Sequence, residues 1–289
     1  MSFELFYEAL ISGVLLGCFY AAVSIGLSMA FGLADVPHIA HPAFLVLGGY
    51  AAFLLNQHGF DPIVAGLVLI PAFYLVGLAV YQFYHVSFEN HGTDTGLRGL
   101  AFFFGLSFVI EAGLILMFGV DQHMVDAPYI GNSYAIGDTR LPLRMLAACA
   151  VGLALTAAMT LYLSRTFTGR ALKAVAQDAD ALLLVGANPV RIKRTGFAIA
   201  TATTALAGAL LAVIGPIEPG LGRQYIGRTF CIVVLAGLGS VPGTLVAALI
   251  IGIAESIVLS SFGASWATAV SFGTLLLVLA IRPAGLFGR

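Results

Sequence analysis

Four titratable side chains sit in stretches that are otherwise almost wholly apolar. They are Glu111 in Phe108-Val-Ile-Glu-Ala-Gly-Leu114, Glu255 in Gly252-Ile-Ala-Glu-Ser256, and the pair His38 and His41. A carboxylate in such company must meet a partner or a wet cavity. Glu111 reads either as the lining or latch of a pathway, or as a hydrogen-bonding group that joins neighbouring helices. Glu255 is followed by Ser256 and preceded by Gly252 and Ala254, small residues that let helices approach closely. A structural or gating role is therefore preferred for Glu255 over substrate contact. His38 and His41 would share a face if helical. No third ligand lies near them, so no metal site is expected, and polar lining of a path or a helix cap is the better reading. The run Gly237-Leu-Gly-Ser-Val-Pro-Gly243 is a different kind of candidate. At a helix break, the free N–H and C=O groups of Gly237, Gly239 and Ser240 could line a pathway as exposed backbone without a buried charge. The alternative is that these small residues only allow close packing.

No catalytic residue is expected. The chain lacks the G-x-x-x-x-G-K-[ST] phosphate loop, H-E-x-x-H and any evident Ser, His and Asp grouping. Its two lysines, Lys173 and Lys193, follow Leu172 and Ile192, so ATP hydrolysis by that loop is excluded. Cys18, Cys149 and Cys231 lie in apolar runs and read as small buried hydrophobes. No basic run points to nucleic acid.

These residues must be positioned by elements suited to a bilayer. Of 289 residues 60% are hydrophobic and 9% charged, with a mean hydropathy of +1.01. A soluble surface needs about 25% charged residues. Residues 36–60, 62–88, 195–217, 231–254 and 256–281 contain no Asp, Glu, Lys or Arg. Each is long enough for a crossing, which takes about 20 helical residues. Both faces of these runs are apolar, which excludes the alternation of a β-barrel. The expected fold is an all-α polytopic bundle, a single domain over 1–289 with about eight spans. The spans expected are 9–31, 42–55, 62–83, 97–118, 141–164, 195–214, a glycine-interrupted segment 230–259 and 267–281. The interrupted segment could form two half-helices or be re-entrant, and 42–55 could be an inserted helix. The acidic N-terminus does not fit a secretory signal, so the first segment is read as retained. No motif is seen to repeat between the two halves.

Residues 165–194 alone have a soluble composition. The stretch carries Arg165, Arg170, Lys173, Arg191, Lys193 and Arg194, which marks it as cytoplasmic. Counting back puts the N-terminus outside and Arg98 inside. Arg140, Arg144, Arg223 and Arg228 are left outside, against the rule. The C-terminus is inside if 230–259 crosses an even number of times. Within the loop, one helix over 170–185 is expected, stopped by Gly186 and blocked by Pro189. Its apolar stripe would be Leu172, Val175, Ala176, Ala179, Leu182 and Leu183, with Lys173, Gln177, Asp178 and Asp180 opposite. Such a helix either packs under its own bundle or docks on a cytoplasmic partner. On the other side, Pro216, Glu218, Pro219 and Gly220 with Arg223, and residues 121–140, are expected as exposed connectors.

Four stretches together resemble the branched-chain amino acid permease family. They are Gly169-Arg-Ala-Leu-Lys-Ala-Val-Ala-Gln-Asp178 with Gly186-Ala-Asn-Pro-Val-Arg-Ile-Lys193, Ala40-His41 with Phe44-Leu-Val-Leu-Gly-Gly-Tyr50, Val233 to Gly243, and Arg282-Pro-Ala-Gly-Leu-Phe-Gly288. The chain departs at the early motif, reading His38-Ile-Ala-His-Pro42 where that family has Asn-Phe-Ala-His-Gly. The resemblance implies a permease subunit of a binding-protein-dependent ATP-driven importer in the bacterial cytoplasmic membrane. A second permease subunit, two ATPase subunits that use ATP and Mg, and an extracytoplasmic solute-binding protein would be its partners. Arg170, Lys173, Gln177, Asp178, Asp180, Gly186 and Arg191 would couple to the ATPase. His38, His41, Glu111, Gly237, Gly239, Ser240 and Glu255 are the candidates for the translocation path. Leucine, isoleucine or valine is the implied substrate. Urea, amides or aromatic acids are alternatives, and an ion-coupled secondary transporter is the rival from another class.

Overall fold

The computed structural model describes residues 3–89, 95–136, 139–282 and 284–288. Pro283 and Arg289 of the C-terminal stretch, Met1 and Ser2, and residues 137 and 138 of the longest connector lie outside the described residues. The chain is a helical bundle because backbone groups in lipid can bond only to one another. Its elements are α1 (Phe3–Gly32), α2 (His41–Gln57), α3 (Pro62–Tyr84) with a π-helical turn at His85–Glu89, and α4 (Thr95–Phe118). A hairpin of β1 (Ser133–Ile136) and β2 (Thr139–Pro142) precedes α5 (Leu143–Arg165). Then come the short α6 (Phe167–Val175) and α7 (Ala179–Leu184), followed by α8 (Pro189–Ile214), α9 (Leu221–Ala236), α10 (Val241–Phe262) and α11 (Ala264–Ile281). Among the described residues six helices are long and apolar enough to cross a membrane, namely α1, α3, α4, α5, α8 and α10. Helices α2, α9 and α11 are shorter.

Helices α1 and α8 form the centre. Of their most apolar windows 72% and 89% are buried, against 11% for α4. Small residues bring the backbones together. Helix α10 runs antiparallel to α1, with Gly17 meeting Leu249 and Gly13 meeting Ile253, and a Cβ on Gly252 would lie 2.6 Å from Gly17 Cα. Helix α3 runs antiparallel to α8 in the same way, with Gly66 against Leu206 and Ala209, and Gly77 against Ala198. Gly208 of α8 lies directly against the carbonyl of Leu45 in α2.

The two halves repeat this plan. In the first, α2 leads through a short turn at Gly59 to Asp61, which caps α3 at Pro62. In the second, α9 leads through Gly239 to Ser240, which caps α10 at Val241-Pro242. Each half lends its third helix to the central helix of the other. The repeat lies in caps, turns and packing order rather than in residue identity, which is why no motif repeat was visible in sequence.

The expected segment 230–259 is interrupted at its glycines and forms two helices, although the first starts earlier than expected. Gly237 to Ser240 is the turn between two separate helices, and α9 begins at Leu221, nine residues earlier than the apolar run. The C-terminal stretch packs against this turn, with Gly288 on Gly237, at the end of the bundle that carries Arg165 to Arg194. Leu286 and Phe287 there donate backbone N–H groups to Leu235 and Ala236 at 2.8 and 3.1 Å. Arg228 belongs to α9 and not to a connector. Helix α2 does start inside the bundle, because His41 Nε2 bonds the carbonyl of Val23, nine residues short of the end of α1.

Gly208→Val should drive methyl groups into the Leu45 carbonyl and cost about 3 kcal/mol. Gly105→Val, with nothing within 4 Å of its Cβ position, should leave the melting temperature unchanged. Size-exclusion chromatography of detergent extracts after stepwise heating measures both.

Candidate functional site

The candidates do not gather in one place; the structure distributes them over four. The first is the fold-back before α2. His38 and His41 are fully buried, with ring centroids 5.5 Å apart. They do not share a helical face, since His38 lies in the link and His41 opens α2. His38 is enclosed by Phe197 at 4.6 Å, Phe103 at 5.1 Å and Phe44 at 5.4 Å. Neither of its ring nitrogens, nor Nδ1 of His41, has a hydrogen-bond partner. A small crevice of about 20 Å³ opens beside His38, between Leu27 and Phe31 of α1 and Ile226, Thr229 and Phe230 of α9. That is room for about one water molecule. Among the described residues no three His, Cys, Asp or Glu side chains converge as metal ligands would.

The second place is a buried ion pair. Glu255 of α10 accepts from Arg228 Nε of α9 at 3.0 Å and from Tyr20 of α1 at 2.7 Å, and Ser271 of α11 donates to it as well. The Arg228 guanidinium also lies over the rings of Tyr20 and Tyr225, 5.1 and 5.5 Å from their centroids. One carboxylate therefore ties four helices together. Sequence reasoning found Glu255 and missed its partners. The available signal was Arg228, a charge followed by eight uncharged residues that are helical in any reading.

Glu111 of α4 is the third. It pairs with Arg223, which stands in the first turn of α9 rather than in a free loop. Gln122 reaches Glu218 at 3.3 Å, and His123 bridges to Ile217. These contacts fasten the connector after α4 to the one after α8. The same connector is held at its other side, where Asn56 bonds Asp126 twice and Tyr129 donates to Asp61 at 3.2 Å. Burial, together with the Asp61 carboxylate, holds the Tyr129 phenol above its usual range. Gly237, Gly239 and Ser240 belong with the packing described above. Gly237 is backed by Gly288, Gly239 by Gly32, and the Ser240 hydroxyl accepts from Gly243 N at 3.2 Å.

The fourth place is the segment after α5. The expected single helix is two, because Asp178 turns its side chain onto the N–H groups of Asp180 and Ala181 and starts α7 afresh. Thr166 caps α6, Gly186 ends α7 at φ +78°, and Asn188 caps α8 with Pro189 in its first turn. The expected stripe also divides. Leu172 and Val175 pack inward, with Leu172 against Gly196 of α8, whereas Leu183 is exposed, as are Leu184 at 90% and Val185. Arg170, Lys173, Gln177, Asp178, Asp180, Gly186 and Arg191 are all exposed. Arg191 stands apart from the rest, lining a crevice beside α5. The unit is thus a capped, bent projection with an apolar tip, fixed to the bundle by one buried face.

A polytopic helical bundle with such a projection has the form of a membrane transport subunit. The comparisons agree. Residues 9–279 match the family described as branched-chain amino acid transport system, permease component, and the chain belongs to that family. It is 28% identical to the high-affinity branched-chain amino acid transport system permease protein BraD of Pseudomonas aeruginosa, over 98% of this chain and 96% of that protein. It is 28% identical to the corresponding LivH of Escherichia coli, over 99% and 97%. LivM of Escherichia coli is 26% identical over 92% of this chain and 67% of its own length.

Removing one member of the buried pair should be worse than removing both. Glu255→Gln leaves Arg228 uncompensated and should cost about 3–5 kcal/mol, while Glu255→Gln with Arg228→Met should recover most of that loss. A double-mutant cycle on thermal unfolding in detergent checks it.

Proposed function

We propose that this chain is the membrane-spanning permease subunit of an ATP-driven, binding-protein-dependent importer of branched-chain amino acids. A second permease subunit, identical or paralogous, completes the path. Two ATPase subunits hydrolyse ATP with Mg on the cytosolic side, and an extracytoplasmic solute-binding protein delivers the substrate. The bacterial cytoplasmic membrane is the implied location, with the basic end of the bundle inward by the distribution of Lys and Arg. The observation that carries the reading is the α6–α7 projection, whose apolar tip of Leu183, Leu184 and Val185 faces away from the bundle that supports it. Exposed leucines beyond a bilayer need a protein surface to cover them.

His38, His41 and the crevice next to them are the proposed part of the path that senses the substrate's side chain, since the lining is apolar apart from His38 and Thr229. The Glu255–Arg228 pair and the Glu111–Arg223 pair act as joints between helices that move against one another. Substrate identity rests on the family. Purifying the complex from its native membrane tests the class, because two ATPases and a permease partner should accompany the chain. Competition of radiolabelled leucine uptake by isoleucine, valine, urea, amides and aromatic acids tests the substrate. Uptake driven by an ion gradient without any ATPase would favour a secondary transporter instead.

Leu184→Glu should lower uptake at least about tenfold, equivalent to about 1.4 kcal/mol of docking, without changing the melting temperature of the subunit. Uptake in proteoliposomes and thermal unfolding of the same preparation separate the two effects.

A further inference from the structure

A crevice runs along α8 from the basic end of the bundle toward its middle. At the basic end Tyr162, Thr168, Arg191 and Thr195 line a space of about 130 Å³. Deeper, α3 and α5 flank a space of about 330 Å³ over Tyr74, Leu155, Met159 and Leu206. Ile199 lines both, which places the two spaces end to end along α8. The ends of the crevice differ in chemistry. The deep part is walled almost wholly by hydrocarbon, and its Thr203 hydroxyl is already donated to the carbonyl of Ala200 at 2.8 Å. The basic end offers Arg191, whose guanidinium has no ion-pair partner among the described residues, while the hydroxyls there are bonded within the protein, Tyr162 to Thr168 and Thr195 to the Arg191 carbonyl.

We propose that this crevice holds one acidic phospholipid of the bilayer, its phosphate on Arg191 and one acyl chain laid over Ile199 toward Leu206. The dimensions fit. From Arg191 to Leu206 is fifteen helical rises, about 22 Å. That compares with about 15 Å for half the hydrocarbon core, leaving the remainder for the headgroup. A helix from a second copy does not fit, since one about 10 Å wide and equally long fills roughly 1,700 Å³. The phosphate supplies the charge that Arg191 lacks, and the chain covers an apolar slot open to lipid.

The test uses the full-length chain, purified with its membrane partners and delipidated in detergent. It is then exposed to phosphatidylglycerol or phosphatidylethanolamine and read by native mass spectrometry. The wild type should keep one phosphatidylglycerol per chain in preference to phosphatidylethanolamine. Arg191→Gln should lower that retention about tenfold, while Arg282→Gln at the same end should not. Lipid retention is read without nucleotide, so any loss of ATPase coupling in Arg191→Gln leaves the readout intact. In native membranes, a phosphatidylglycerol with a diazirine-bearing acyl chain should label peptides containing Met159 and Ile199. Ile199→Trp should abolish labelling of Met159. Equal retention by wild type and Arg191→Gln, or label spread evenly onto the outward face of α4, would overturn the assignment.

Discussion

Inside lipid no hydrophobic force presses one helix against another, so packing of backbone on backbone must do it. In this bundle that packing is concentrated on two central helices. Helix α1 receives α10 along Gly13 and Gly17, and α8 receives α3 and α2 along Ala198, Ala209 and Gly208. Every other feature rests on this frame. The fold-back that buries His38 exists because α2 is drawn against α8. The sharp turn at Gly239 exists because α10 must begin against Gly32 of α1.

The few charges complement the frame rather than decorate it. Dispersion between small residues fixes distance but leaves rotation loose, and a buried carboxylate with three donors removes that freedom. Glu255 does so for α1, α9, α10 and α11. At the far end Glu111 of α4 pairs with the largely exposed Arg223, and connectors are stitched by Asn56 and Asp126. At the basic end Glu89 gathers Tyr81, His85 and Lys193, which anchors the start of α8 beside the projection it carries. Leu172 packs the projection against Gly196 of α8, whose other faces receive α2 and α3.

Much of this was legible from residues. The expected apolar spans located α1, α3, α4, α5 and α8, and the clustered arginines separated the one polar projection from the rest. The capping chemistry was only half legible. Gly186 was read correctly as a stop, but Asp178 was read as part of a polar face when its side chain starts a new helix. The hidden part lay where polar residues enter helices. Arg223 and Arg228 suggested a loop, so α9 was begun too late, although burial against Tyr20 and Glu255 makes a helical Arg228 stable. The repeat between halves was hidden for a different reason, because Asp61 and Ser240 perform one capping task with different side chains. Family membership, rather than the presence or absence of a repeat, separates the chain from an ion-coupled transporter.

The central claim is that the α6–α7 projection stands in the cytosol and meets a nucleotide-hydrolysing subunit. The most direct measurement replaces Cys18, Cys149 and Cys231 with serine and places a single cysteine at Leu184. In oriented vesicles this cysteine should react with an impermeant maleimide only from the cytosolic face, and the ATPase subunits should protect it. A bifunctional reagent should also join the two chains. Reaction from the opposite face alone, or full reactivity in the presence of bound ATPase, would contradict the account.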